Sequence, residues 1–122
     1  MPKMTAVEKI ISHHVGQTVV PGDIVAVEID SAMATDGSAP MAIEYFRRLK
    51  GQVKFPERMV LIEDHYVPCP NDKVAALLKT MKDFALETGV VHFKSGEGIC
   101  HRLMPERGFV RPGGIVVGAD SH

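Results

Sequence analysis

Asp64-His65, His101 and Asp120-Ser121-His122 are the residues of this chain whose types and spacing could do chemistry. Met59-Val60-Leu61-Ile62 precedes the first group and Ile115-Val116-Val117 leads to the last, while His101 follows the glycine-flanked run Gly96-Glu97-Gly98-Ile99-Cys100. An aspartate beside an imidazole fixes its tautomer and raises its basicity, which is the pairing that general acid/base catalysis uses. His65, His101 or His122 would carry the proton and Asp64 or Asp120 would orient it. Adjacent residues on an extended chain point to opposite sides, so Asp64 could instead orient a histidine other than its neighbour. The three histidines with Asp120 also make a candidate mononuclear site for zinc or iron, and a metal-dependent hydrolase is the corresponding reading. Nucleophilic catalysis by Ser121 is not expected, because sequence neighbours rarely meet in the required geometry and no G-x-S-x-G elbow surrounds the serine. Gly96-x-Gly98 lacks the rest of a dinucleotide-binding fingerprint.

These groups need elements that bring them together. Thr5-Ala6-Val7-Glu8 is a capping-box pattern, so a helix is expected from there to Gly16, with Val7, Ile10 and Ile11 on its apolar side and His13 and His14 near its C-terminal end. Pro21-Gly22-Asp23 is turn chemistry, and Ile24 to Asp30 reads as a strand. Ser38 is placed to cap a helix with Pro40 at its second position, and Gly51 ends it. Met59 to Ile62 reads as a strand covered on both faces. Asn71 caps the longest helix, in which Val74, Leu77, Leu78, Met81, Phe84 and Ala85 follow helical periodicity up to Gly89. Val90 to Phe93 is the next strand, residues 96–114 read as a loop, and Ile115 to Val117 is the last strand.

Strands alternating with helices predict an α/β fold, a layered αβα arrangement with a largely parallel sheet. Right-handed crossovers put successive strand ends on one edge, so Asp64, His65, Asp120, Ser121 and His122 are expected to converge there.

With 122 residues, the chain is read as one domain, residues 1–122, large enough for a real core. A formal net charge of -1 and the absence of a basic stripe leave nucleic acid an unexpected partner. No apolar run reaches the length of a membrane span or forms a leader, so the expectation is a cytoplasmic protein without membrane association. The two cysteines, Cys69 and Cys100, fit neither a disulfide framework nor a thiolate zinc site.

Met33-Ala34-Thr35-Asp36-Gly37-Ser38-Ala39-Pro40, Asp64-His65-Tyr66-Val67-Pro68, Gly96-Glu97-Gly98-Ile99-Cys100-His101 and Gly118-Ala119-Asp120-Ser121-His122 occur in an order and at spacings that resemble the aconitase superfamily. The likeness is to the N-terminal part of the large subunit of 3-isopropylmalate dehydratase and homoaconitase, and it runs over essentially the whole chain. The resemblance implies an incomplete aconitase-like domain. It also implies a hydro-lyase acting on a hydroxy di- or tricarboxylic acid, with a [4Fe–4S] cluster as Lewis acid. Carried over by motif, His65 would protonate the leaving hydroxyl beside Asp64, and His101 would pair with Asp120. Ser121 and His122 would line the substrate and cluster pocket, and Asp36 and Ser38 would sit on a loop that approaches the substrate. Thr35 departs from the longer Gln or His that such sequences often carry.

The family's cluster cysteines lie beyond the last motif of this chain, and Cys69 and Cys100 do not occupy their positions. A cluster normally takes at least three cysteine ligands, so the expectation is that this chain holds no metal alone. It is also expected to be inactive without the remainder of the large subunit and a small subunit, and to self-associate through uncovered apolar faces. The alternative is a non-catalytic carboxylate-binding or subunit-assembly module of the same fold.

Overall fold

The computed structural model of the protein describes residues 3–120. Its elements are α1 (Ala6–Val15), β1 (Ser31–Thr35), α2 (Ala39–Arg48), β2 (Met59–Ile62), α3 (Asp72–Thr88), β3 (Val91–Phe93), α4 (Cys100–Glu106) and β4 (Val116–Ala119), with a single 3₁₀ turn at Pro56–Arg58. All strand pairs are parallel, in the spatial order β3-β2-β1-β4.

Alternation along β2 builds the two layers. Leu61 faces one side, where it packs with Ala39 and Ile43 of α2, Met81, Phe84 and Ala85 of α3, and Val90. Val60 and Ile62 face the other side and pack with Phe93 and with Cys100, Leu103 and Met104 of α4. Helices thus cover both faces of the sheet, as the αβα reading expects. Phe46 and Phe84 meet edge to face with ring centroids 5.5 Å apart and lock α2 to α3.

Local signals set several boundaries. Thr5 and Glu8 form the reciprocal capping box of α1, and Gly16 closes the helix in the left-handed conformation at φ 76°. Asn71 accepts from the Val74 N–H to start α3, and Gly89 ends it at φ 79°. Ser38 occupies the N-cap position of α2 but makes no side-chain cap bond, because its hydroxyl is used elsewhere.

Two elements differ from the sequence reading. Residues 24–30 form no regular element; half-buried Val25, Val27 and Ile29 alternate with exposed neighbours, and the run pairs with no strand among the described residues. The strand is instead Ser31–Thr35, a run of small and mixed residues with weak strand preference. Its conformation comes from its central place between β2 and β4. The second difference is α4, which lies in the region read as a loop. Pro105 and the flanking glycines hide it, but Cys100, Leu103 and Met104 bury one helical face against the sheet. The connection from β3 to β4 therefore contains a helix, like the other crossovers. No helix among the described residues is long and apolar enough to cross a membrane.

Candidate active site

The strands end level with one another, since Thr35 pairs with Ile62, Ile62 with Phe93, and Ala34 with Ala119. Asp36, the run Glu63-Asp64-His65, Lys94-Ser95 and Asp120 therefore emerge from one edge of the sheet. β1 is followed in space by β2 on one side and β4 on the other, so the strand order reverses at β1. The crevice at such a reversal is where open α/β sheets bind ligands.

Asp36 is the anchor of this edge. Its side chain is fully buried, and its carboxylate accepts from the backbone N–H of His65 (3.0 and 3.2 Å) and of Tyr66 (2.8 Å). That grip bends the chain sharply as it leaves β2. The bend removes the extended geometry that would separate neighbouring side chains, and His65 Nδ1 lies 2.7 Å from Asp64 Oδ1. The histidine that Asp64 orients is thus its own neighbour, and the prospect of a different partner is corrected. The other Asp64 oxygen accepts from the Cys100 N–H at 2.7 Å, serving the first turn of α4 where the N-cap residue Ile99 has no side chain to offer.

His65 Nε2 faces Asp120 Oδ1 at 3.3 Å. The Asp64 hydrogen bond, helped by the charges of Asp64, Asp120 and Asp36 and opposed by desolvation, raises the His65 pKa above the ordinary imidazole value. The imidazole thus has one flank on a short hydrogen bond and the other on a longer contact. On its other side Asp120 Oδ2 lies 3.8 Å from His101 Nδ1, an ion-pair separation and not a hydrogen bond. Asp120 therefore stands between His65 and His101. Ser38 ties the crevice together by donating to Ala119 O at 2.7 Å and accepting from the Thr35 N–H at 3.1 Å. Thr35 itself is buried. Ser121 and His122 lie outside the described residues.

Cys100 is buried with its sulfur 3.1 Å from His101 Nδ1. Burial, with the hydrogen bond and charge of Asp64 and the charge of Asp120, pushes its thiol up to about 12. Cys69 is exposed and donates to Asn71 O. Two sets of possible metal ligands, Asp36 with Asp64 and His65, and Cys100 with His101 and Asp120, bring their atoms within 4.8 Å of one another. In the first set every carboxylate oxygen already receives an N–H donor or faces the imidazole. In the second, the Cys100 sulfur is buried and lies 3.1 Å from His101 Nδ1 and 3.8 Å from Asp120 Oδ2.

Two cavities flank this network. One of about 360 Å³ is lined by Met33, Cys100, His101, Met104, Gly118 and Asp120, among others. One of about 260 Å³ is lined by Glu63, Asp64, Val67, Gly96, Gly98 and Ile99. The structure also assembles a group that the sequence reading left unconnected, the buried Glu63 with His92 and Ser95. An acid directly after an apolar strand, before a second acid, was its available signal.

The model of the aconitase family (aconitate hydratase) matches residues 8–122. The chain is 43% identical to the probable methanogen homoaconitase large subunit of Methanothermobacter thermautotrophicus, covering 100% of this chain and 30% of that protein. It is 45% identical to the 3-isopropylmalate dehydratase large subunit of Moorella thermoacetica, over 98% of this chain and 29% of the relative. To the homoaconitase large subunit of Thermus thermophilus it is 37% identical, over 97% of this chain and 28% of the relative. The chain thus spans less than a third of the length of these relatives. With a family match over nearly all its residues and a parallel αβα sheet that gathers Asp36, Asp64, His65 and Asp120 at one crevice, this chain belongs to the aconitase family.

Proposed function

We propose that this chain supplies the proton-transfer wall of an aconitase-type hydro-lyase. The reaction removes and adds water on a hydroxy di- or tricarboxylic acid such as 3-isopropylmalate or homocitrate. The observation that carries the reading is the His65 imidazole, fixed at Nδ1 by Asp64 and facing Asp120 across a longer contact at Nε2. Hydroxide is a poor leaving group, and an acid that protonates it as the C–O bond breaks lowers the barrier. His65 delivers that proton from Nε2 as the imidazolium, and Asp64, accepting from Nδ1–H, holds the ring so that Nε2 is the nitrogen that loses and regains the proton. Asp120, with His101 behind it, stabilises the imidazolium and accepts or returns the proton in the hydration direction. Asp36 and Ser38 act by holding the two strand exits in place, and Ser121 and His122 belong to the substrate pocket.

The family implies a [4Fe–4S] cluster in the complete enzyme. The described residues do not fit as its ligands: Cys69 and Cys100 are two thiols where three are normally needed, and one is exposed while the other is buried. In a protein of the relatives' length the ligands come from other residues, and the 122 residues form one partial domain of it. The relatives are named as large subunits, and a small subunit is the expected partner. The chain alone is inactive on this reading.

The test is His65→Asn in the complete protein with its partner subunit, assayed with 3-isopropylmalate and homocitrate. The expected result is a kcat lower by about 10²–10⁴-fold with KM little changed. Wild-type kcat in His65→Asn would remove His65 from the reaction. Turnover by residues 1–122 alone, supplied with iron and sulfide, would overturn the need for further chain.

A further inference from the structure

Glu63 is a carboxylate at the exit of β2, 8% exposed, and a buried charge is destabilising unless it is matched by donors. Here it is fully matched. Oε1 lies 2.9 Å from His92 Nε2, while Oε2 accepts from the Ser95 N–H at 2.9 Å and from the Ser95 hydroxyl at 2.6 Å. The Glu63 backbone N–H donates to Phe93 O at 2.9 Å. One residue thus grips the end of β3 and the start of the loop after it through four contacts to His92, Phe93 and Ser95.

The loop itself is short and shaped by local bonds. Glu97 accepts from the Lys94 N–H, and Gly96 and Gly98 turn the chain at φ 91° and 147°. It then delivers the Cys100 N–H to Asp64 Oδ2. The loop is pinned at both ends by consecutive carboxylates, Glu63 at its start and Asp64 at its finish. The second pin has a consequence for chemistry, because a donor fixed on Oδ2 sets the rotation of the Asp64 carboxylate and leaves Oδ1 aimed at His65 Nδ1.

We infer that Glu63, through Ser95 and residues 94–99, is a positioning residue for the Asp64–His65 pair. It touches neither substrate nor the reacting proton. The inference rests on the function proposed for His65 where activity is measured, and on structure alone where the imidazole is observed directly.

The test uses the full chain, isotope-labelled at histidine, and the variants Glu63→Ala, Glu63→Gln and Ser95→Ala. Nuclear magnetic resonance reads the His65 titration midpoint and its downfield Nδ1–H resonance, which persists only while the bond to Asp64 shields it from exchange. In Glu63→Ala the midpoint falls towards the ordinary imidazole value of about 6.5 and the Nδ1–H signal is lost. The kcat of the complete enzyme falls about tenfold, while KM moves less than about twofold. Glu63→Gln keeps an acceptor for Ser95 and restores both readouts. Should Glu63→Ala fail to fold, Ser95→Ala carries the test, since it deletes one bond to Glu63 and shifts the midpoint in the same direction by less. An unchanged midpoint in whichever of these two variants folds overturns the inference, as does a Glu63→Gln variant whose His65 signals are as disturbed as those of Glu63→Ala. A shifted midpoint, together with no hydro-lyase activity in the complete wild-type protein with its partner subunit, supports the positioning role and sinks the functional reading instead.

Discussion

Replacing Asp36 by alanine removes one buried carboxylate and strips two backbone N–H groups, those of His65 and Tyr66, of their acceptor. Leaving a buried donor unsatisfied costs about 1–3 kcal/mol per group. Both N–H groups are partly accessible, so water recovers some of that loss and the expected total is about 2–3 kcal/mol. This is a large share of the roughly 5–15 kcal/mol that holds a domain folded. With a urea dependence of about 2 kcal/mol per molar, the unfolding midpoint falls by roughly 1 M. Asp36→Asn retains one acceptor oxygen but turns an amide donor towards the remaining N–H, and its loss is expected between those of wild type and alanine. The assay is urea unfolding followed by circular dichroism, with the slope checked for constancy. A midpoint for Asp36→Ala within about 0.2 M of wild type would refute the claim that this carboxylate shapes the exit of β2. The same variant frees the turn that brings His65 onto Asp64, so a stability loss without any change in the His65 resonances would refute the link from the anchor to the site.

Folding raises the His65 pKa, so the folded state binds that proton more tightly than the unfolded chain does. The associated stabilisation is complete below the unfolded value near 6.5 and fades as pH rises through the folded value; melting temperatures against pH should show a larger loss in wild type than in His65→Gln, where His14, raised by Asp30, still contributes. In native protein one thiol, Cys69, reacts with a chromogenic disulfide at pH 7.5, while Cys100 stays protected by burial and by a pKa of about 12 until urea exposes it. Gly98→Ala places a Cβ 3.2 Å from Leu103 Cγ and Cδ2 at a backbone φ of 147° that alanine rarely adopts. It should lower stability by about 1–3 kcal/mol in the same urea assay.

Much of the frame was legible because its causes are local. The Thr5–Glu8 box, the Asn71 cap and the apolar periodicity to Gly89 act within a few residues, and helices α1 and α3 lie where those signals put them. Val60 to Ile62 is apolar because both faces of β2 are covered there, and that too reads directly. β1 was not legible, since alanine and serine become strand only when two neighbours supply their hydrogen bonds. α4 was hidden for a related reason: Asp64, 36 positions before Cys100, provides the acceptor for the Cys100 N–H that the N-cap residue Ile99 cannot.

The sequence by itself determined the chemical inventory, acids and imidazoles at the exits of apolar strands in an order that identifies the aconitase family. Which carboxylate serves which imidazole was decided only in three dimensions. Asp36, His65 and Asp120 meet because parallel register brings the ends of β1, β2 and β4 level, and because Asp36 turns the chain after Ile62 so that Asp64 and His65 face each other. Glu63 and Ser95 meet for the same reason, across the pairing of β2 with β3. A hydrogen bond selects its partner by distance and direction, and between residues far apart in sequence those quantities exist only once the sheet has formed.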